Sequence, residues 1–298
     1  MAISEAERIW HSRLINASIA ALQINGSTLS QSVDGYAQAD FRAPPACFVG
    51  GARGINAGLL GEVDNDYAIL AFRGTLARPD SQDAETICLD WTQDRNYTRQ
   101  AWPIGSDGSY GKTSAGFSLA MASIWPELQA ALARVMAGKR GLWITGHSKG
   151  GAMAVLAASL IGRSHPIDHI VTFGAPMVGD ATFKASYTAA GLDAKTIRYQ
   201  NQYDGVPLAP YVDTPPMIME GCSALATTVP GDHEYKAVGA MRFILWSSAY
   251  QALDIVTDPF TAGIDYAASM DYAVHHQELI GPAHNPRGNY RDCFATPR

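Results

Sequence analysis

The order of apolar and polar positions predicts a helix followed by strands in the first quarter of the chain. The stretch LINASIAALQI (14–24) spaces its apolar side chains as an amphipathic helix does. The segments CFVGG (47–51) and AGLLGEV (57–63) have the length and composition of short antiparallel strands, and turn residues at 64–66 lead into a third, YAILAFR (67–73). A polar stretch from about residue 77 to 113 has no clear period and predicts irregular structure.

Helix and strand alternate in the rest of the chain. Helical spacing predicts a helix over 117–135, with Pro126 suited to a first helical turn. Apolar strands are expected at 142–145, 169–174, 196–201 and 241–247, the last of which is expected to end the sheet. Because continuous apolar strands separated by helices are typical of buried parallel sheets, the pattern predicts a mostly parallel sheet covered by helices on both faces.

The composition predicts one globular domain over residues 1–298. Apolar residues make up 47% and charged residues 17%, and no repeat or linker interrupts the chain. A net charge of −6 leaves no basic surface for phosphates, so no nucleic-acid partner is expected. Glu5 and Glu7 stand where a secretory signal needs positive charge, and no run reaches the roughly 20 apolar residues of a membrane span. We therefore expect a soluble protein, cytoplasmic or exported without a cleaved signal.

Cofactor and metal motifs are missing from the sequence. The four cysteines are expected to be free thiols, with a single Cys47–Cys293 bridge as the alternative. No metal-ligand spacing occurs, and the near match to a phosphate-binding loop at 106–113 begins with Ser106 instead of glycine. No cofactor and no metal are expected.

The pentapeptide Gly146-His147-Ser148-Lys149-Gly150 fits the pattern G-x-S-x-G between a predicted strand and helix. A sharp, strained turn there exposes the serine hydroxyl, and the glycines avoid collisions with neighbouring backbone. The helix N-terminus offers N–H groups to a developing oxyanion. The pattern predicts Ser148 as a nucleophile, and the alternative is a turn with an N-capping serine.

Segments on both sides of this turn resemble the fungal-type (class 3) lipase family. They are AFRGT (71–75), Asp90-Trp91, ITGHSKGGAMAVLAA (144–158), FGAPMVGD (173–180) and NQYDGVPLAP (201–210), with thinner similarity at YKAVGAMRF (235–243). The resemblance implies an α/β-hydrolase fold over the single domain, with a lid or insert at 76–113. That region is polar, unlike the family's amphipathic lid, which argues against interfacial activation. Ser114 stands where the family has histidine.

The resemblance and the chain order serine, acid, histidine imply the acid of a catalytic triad. Asp204 follows the predicted strand at 196–201, in the segment that resembles the one bearing the family's acid. A turn-forming aspartate is the alternative. Asp180 follows the predicted strand at 169–174 too closely to be the acid instead.

Four histidines follow Asp204 and are candidates for the base: His233, His275, His276 and His284. His284, with Tyr290 a few residues on, most resembles the family's C-terminal histidine with an aromatic partner, and His276 is the next choice. His233 precedes the strand after which the base is expected. His147, inside the turn, is expected to pack structurally.

The resemblance also implies the oxyanion hole. The backbone N–H of Lys149 is one donor; the family usually has leucine here, but only the N–H is needed. The second donor is Thr75, where the family uses the N–H and hydroxyl of a serine or threonine. The alternative role for Thr75 is to cap a turn after Gly74, and Arg73 is expected to be structural.

Together these residues imply a lipase-like serine carboxylic-ester hydrolase that cleaves fatty-acyl esters, such as triacylglycerol, through an acyl-enzyme. The expected partners are a lipid or ester substrate and a transient lipid interface. A short-chain or feruloyl-type esterase or a phospholipase A would use the same machinery. A catalytically silent hydrolase-fold binding protein is the alternative outside the enzymes. Acyl specificity is expected in the loops 76–113 and 208–235.

Overall fold

Helices and strands follow one another along most of the chain. The structure, a computed structural model, describes residues 3–77, 83–213, 222, 227–247 and 252–295. In these ranges the helices are α1 (Glu5–Ala21), α2 (Tyr36–Ala39), α3 (Ala84–Asp94), α4 (Ala115–Val135), α5 (Lys149–Ile161), α6 (Ala181–Ala189), α7 (Pro259–His275), α8 (Ile280–Ala283) and α9 (Asn289–Asp292). The strands are β1 (Ala46–Gly50), β2 (Asn56–Glu62), β3 (Tyr67–Phe72), β4 (Arg99–Ala101), β5 (Lys112–Ser114), β6 (Gly141–His147), β7 (Ile167–Phe173), β8 (Gly179–Asp180), β9 (Thr196–Asn201), β10 (Tyr235–Lys236), β11 (Ala240–Ser247) and β12 (Ala252–Val256).

Eight of the strands in the described ranges form one sheet, in the order β1-β2-β3-β6-β7-β9-β11-β12. The strands β3, β6, β7, β9 and β11 are parallel, whereas β1 and β2 at one edge and β12 at the other run antiparallel to their neighbours. A smaller sheet joins β10, β8, β5 and β4. Because the central strands are parallel, the segments that follow β3, β6, β7 and β9 all leave from one edge of the sheet.

Successive residues of the central strands face opposite layers, which gives the core two halves. Leu70 and Ile144 pack into the cluster that contains α4 and α5. Ile69 and Val171 pack into the cluster that contains α1 and the segment around Phe294. The prediction of a mostly parallel sheet with helices on both faces is therefore confirmed. Across the described ranges, no helix is long and apolar enough to cross a bilayer.

The expectation of irregular structure over 77–113 is wrong. Asp83 caps α3 by accepting a hydrogen bond from the Thr86 N–H, and β4 and β5 follow. The segment packs into the core, since Trp102 is buried and its Nε1 donates to Ser159 Oγ at 2.8 Å. Residues 78–82 of the expected lid lie outside the described residues.

Two predicted element boundaries are also wrong. Pro126 lies inside α4 and not in its first turn. The apolar face of that helix continues from Phe117 to Leu128, and its burial outweighs the one hydrogen bond that proline removes. β11 does not end the sheet, because β12 pairs antiparallel with it. All four cysteines are free, so the alternative Cys47–Cys293 bridge is not formed.

A buried histidine joins α1 to the sheet. Arg242 donates to the hydroxyl of Tyr199 at 2.9 Å, so that hydroxyl donates its own proton to His11 Nδ1 at 2.8 Å. His11 is 1% exposed, and burial lowers its pKa to about 3, with the nearby Arg242 acting in the same direction. The ring is therefore neutral in the folded protein at neutral pH.

We expect His11 to make the folded state less stable as the pH falls below 6.5. Between pH 6.5 and about 3 the unfolded chain binds a proton at this histidine and the folded chain does not, so stability is lost at up to about 1.4 kcal/mol per pH unit. His11→Asn keeps an acceptor for Tyr199 and removes this slope. Urea unfolding at pH 7, 5.5 and 4.5 measures the difference, with the exposed His275→Gln as the control. Equal slopes in His11→Asn and wild type would contradict the prediction.

Candidate active site

Ser148 lies on a sharp turn between β6 and α5. Its φ of 56° and ψ of −130° put a non-glycine residue in the left-handed half of conformational space, a strained geometry. Backbone crowding explains the flanking glycines: a Cβ on Gly146 would lie 2.1 Å from the Gly150 carbonyl, and one on Gly150 would lie 2.3 Å from the Phe72 oxygen. The turn thus holds the serine at the carboxyl edge of the sheet, against the end of β3.

The hydroxyl of Ser148 contacts a histidine from the far end of the chain. His284 Nε2 lies 2.8 Å from Ser148 Oγ. The loop around His284 is fixed through its backbone, since Asn201 Nδ2 donates to the Ala283 carbonyl and His147 Nε2 contacts the His284 carbonyl, both at 2.7 Å. The imidazole side chain is 18% exposed, which leaves one side of the ring open to water.

Asp204 completes a continuous hydrogen-bond chain. It follows β9, is fully buried, and its two carboxylate oxygens lie 3.0 and 2.9 Å from His284 Nδ1. The hydroxyl of Tyr290 donates to Oδ2 at 2.6 Å, and the Val206 N–H donates to Oδ1 at 3.0 Å. These donors compensate the carboxylate for the water it loses on burial.

His147 has a structural position beside this chain of groups. Because a carbonyl can only accept, the bond to the His284 carbonyl fixes the proton of His147 on Nε2. Burial lowers the pKa of His147 well below its usual value, and the neighbouring His284 adds to the effect. The ring is thus a neutral support whose centroid lies 4.5 Å from that of His284.

The loop that follows β3 lies against the start of α5. Lys149 is the first residue of α5, so its N–H has no partner within the helix. Thr75 lies beyond Gly74, where a Cβ would meet the His147 carbonyl at 3.0 Å. The Thr75 hydroxyl donates to Asp94 Oδ2 at 2.6 Å, so its single proton is engaged and the backbone N–H remains for an anionic oxygen.

The side chain of Lys149 has a role that the sequence reasoning missed. It is fully buried, and its ammonium group donates to Asp90 Oδ1, to the Ile55 carbonyl at 3.1 Å and to Asn56 Oδ1 at 3.4 Å. Buried lysines are rare unless they are paired. The only signal in the sequence is the lysine itself, at a position where the resembling family has leucine.

The other histidine candidates lie away from Ser148. His233 and His275 are exposed. His276 stacks on Tyr272 with ring centroids 4.1 Å apart, and its Nδ1 lies 3.3 Å from Glu278. Arg73 contacts backbone, donating to the Ile24 carbonyl at 3.3 Å and to the Gly54 carbonyl.

A cleft of about 1130 Å³ lies beside the loop that follows β3. Its walls carry charged groups, among them Arg53, Asp83 and Arg287, and they include Leu76 but none of Ser148, Asp204 and His284. Where the structure describes the chain, no group of three or more His, Cys, Asp or Glu side chains could hold a metal ion.

Comparison with known proteins agrees with this geometry. Residues 69–214, from β3 to the segment beyond Asp204, match the family model for lipase (class 3). Over this segment the chain is similar to class 3 lipases, and by this family match and its fold it is a lipase-like ester hydrolase.

Solved lipase structures share the fold of this chain at low sequence identity. Lip2 lipase from Yarrowia lipolytica superposes with a TM-score of 0.64 and 18% identity over 99% of this chain and 95% of that one. A Rhizomucor miehei lipase deletion mutant in a propeptide complex gives 0.62 and 19%, over 87% and 73%. A triacylglycerol lipase described as having a serine protease triad as its catalytic centre gives 0.57 and 19%, over 85% and 84%.

Proposed function

We propose that this lipase-like protein hydrolyses fatty-acyl esters through an acyl-enzyme formed on Ser148. The observation that carries the proposal is the unbroken chain from Ser148 Oγ to His284 Nε2 and from His284 Nδ1 to Asp204. A serine hydroxyl becomes a nucleophile when an adjacent imidazole takes its proton, and a carboxylate on the other ring nitrogen fixes the tautomer and stabilises the imidazolium.

The proposed reaction has two acyl-transfer steps. Ser148 Oγ attacks the ester carbonyl carbon while its proton passes to His284 Nε2, and the backbone N–H groups of Lys149 and Thr75 hold the oxyanion. The carbon–oxygen bond to the alcohol breaks as His284 returns the proton to the leaving oxygen. A water that gives its proton to His284 then attacks the acyl carbon, and the acid leaves as Ser148 regains its proton.

Two observations bear on the substrate. The family assignment and the triacylglycerol lipase among the structural relatives support a fatty-acyl ester. In contrast, α3 is packed into the fold and the cleft beside Leu76 is charged, which favours a short soluble ester as the second candidate. Phospholipase A and feruloyl-type esterase activities would use the same three side chains.

Covalent labelling tests the nucleophile. An alkyl fluorophosphonate is expected to label wild type at about one equivalent per chain and Ser148→Ala not at all, because only the activated hydroxyl reacts with it. The exposed Ser30→Ala is the control and is expected to label as wild type does. Full labelling of Ser148→Ala would contradict the proposal. A wild-type protein that binds esters but is not labelled would be a catalytically silent binding protein.

A chain-length series separates the two substrate candidates. p-Nitrophenyl esters from acetate to palmitate, assayed below and above their solubility limits, are expected to give the highest kcat/KM on long chains. If activity peaks at acetate or butyrate and does not change across the solubility limit, the protein is a short-chain esterase.

A further inference from the structure

The buried ammonium group of Lys149 connects the nucleophile turn to a helix 59 residues earlier in the chain. It contacts Asp90 directly, and Asp94 Oδ1 lies 3.9 Å away. Asp90 and Asp94 are four residues apart on α3, so both carboxylates lie on the same face of that helix. All three side chains are less than a tenth exposed.

Each carboxylate uses its second oxygen to hold the loop that carries Thr75. Asp90 Oδ2 accepts from the Leu76 N–H at 2.7 Å, and Asp94 Oδ2 accepts from the Thr75 hydroxyl at 2.6 Å. Trp91, between the two, donates from Nε1 to the Leu76 carbonyl at 3.0 Å. The loop is thus bound to α3, and α3 is bound to the residue that follows Ser148.

We propose that the Lys149 side chain is a positioning residue, which through Asp90 and Asp94 fixes the Thr75 loop against the nucleophile turn so that the oxyanion hole is assembled before substrate binds. This inference rests on the proposed function. It assigns to Lys149 a task besides the one its backbone N–H performs.

The charges make this arrangement sensitive to the loss of the lysine. Without the ammonium group two buried carboxylates would face each other, and a buried charge that loses its partner is strongly destabilised. Burial already raises the pKa of Asp94, with Asp90 adding to the effect and Lys149 opposing it. The carboxylates would therefore shift or take up protons, and the hydrogen bonds that hold Thr75 and Leu76 would change with them.

Lys149→Met tests the proposal with a side chain of similar length and no charge. We expect kcat on p-nitrophenyl butyrate, per site labelled by fluorophosphonate, to fall about 100- to 1000-fold, the loss typical of a missing oxyanion donor. KM is expected to change less than about threefold, because the contact is made in the transition state. A folded Lys149→Met with wild-type kcat per labelled site would overturn the proposal.

A double variant keeps the test decisive if Lys149→Met does not fold. Adding Asp90→Asn removes one of the two buried carboxylates and with it their mutual repulsion, and the amide oxygen can still accept from the Leu76 N–H. We expect the double variant to fold and to recover part of the activity, to about tenfold below wild type, as coupled residues do. Wild-type kcat per labelled site in the double variant would overturn the proposal.

Lys139→Met is the matched control. Lys139 is also largely buried and paired, with its ammonium group 2.7 Å from Glu62 and 2.9 Å from the Asp64 carbonyl, but it precedes β6 at the opposite end of that strand from Ser148. It is expected to lower Tm and leave kcat per labelled site unchanged. If wild type is neither labelled nor active on any ester, the proposed function fails. If wild type is active and Lys149→Met is equally active, only the positioning role fails.

Discussion

Replacing His284 by alanine is expected to lower kcat on a soluble ester by about 10⁴- to 10⁶-fold. His284 Nε2 is 2.8 Å from Ser148 Oγ, and alanine leaves the hydroxyl with no group in that position to take its proton. The measurement is kcat on p-nitrophenyl butyrate, with Tm as the check on folding. Because the two residues act as a unit, the double variant Ser148→Ala, His284→Ala is expected to have a kcat no lower than that of either single variant.

The other candidate histidines supply the controls. His233→Ala, His275→Ala and His276→Ala remove side chains that lie away from Ser148, so each is expected to keep kcat within about twofold of wild type, as surface substitutions usually do. If His276→Ala loses most of its kcat and His284→Ala stays active, the base is His276 and the assignment to His284 is wrong.

Asp204→Asn is expected to lower kcat by about 10⁴-fold while leaving the fold intact. The carboxylate accepts from Tyr290, Val206 and His284 at once. Tyr290 donates to Oδ2 and Val206 to Oδ1, so the single oxygen of an asparagine can serve only one of them. With that oxygen kept toward Tyr290, the NH₂ group takes the place of Oδ1, 3.0 Å from His284 Nδ1. That nitrogen then has to accept, so the ring proton moves to Nε2, and Nε2 can no longer take the proton of Ser148.

Tyr290→Phe separates this tautomer effect from the loss of one hydrogen bond to the carboxylate. It removes the donor to Asp204, at 2.6 Å, and the acceptor of the Asn201 N–H, and it leaves both contacts to His284 in place. We expect kcat to fall by about tenfold, the scale of one net hydrogen bond to a charged group. Asp204→Asn with kcat within tenfold of wild type would show that the carboxylate does not set the tautomer.

The sequence predicts those parts of the fold in which the chemical pattern is local. Buried parallel strands such as β6 and β7 are continuous apolar runs, and the turn at Ser148 needs its two glycines for steric reasons within five residues. The prediction of Ser148, Asp204 and His284 as a triad follows from the chain order serine, acid, histidine, because the resemblance to the lipase family indicates which loops meet at the sheet edge. The structure brings all three into hydrogen-bond contact.

The features that the sequence does not predict are of two kinds. Some depend on contacts between residues that are far apart in the chain, and others lie in segments whose apolar residues repeat with only a weak period. A lysine is by default a surface residue, and nothing local shows that the one at 149 is neutralised by Asp90 and Asp94. In α7 one buried residue, Tyr266, is large, and the others, Ala262, Ser269 and Ala273, are small, so the apolar period is faint. Asp258 and Pro259 nevertheless form a typical helix start. β12 is five residues long and is recognised by its pairing with β11.

The separation of Asp204 and His284 by 80 residues sets a time order during synthesis. A ribosome that adds 5–20 residues per second needs about 4–16 s to travel from one to the other. In that interval the growing polypeptide already contains Ser148 and Asp204 but not yet His284. A nascent chain therefore cannot form the hydrogen-bond chain of these three side chains until its last segment has been made and has packed against the edge of the sheet.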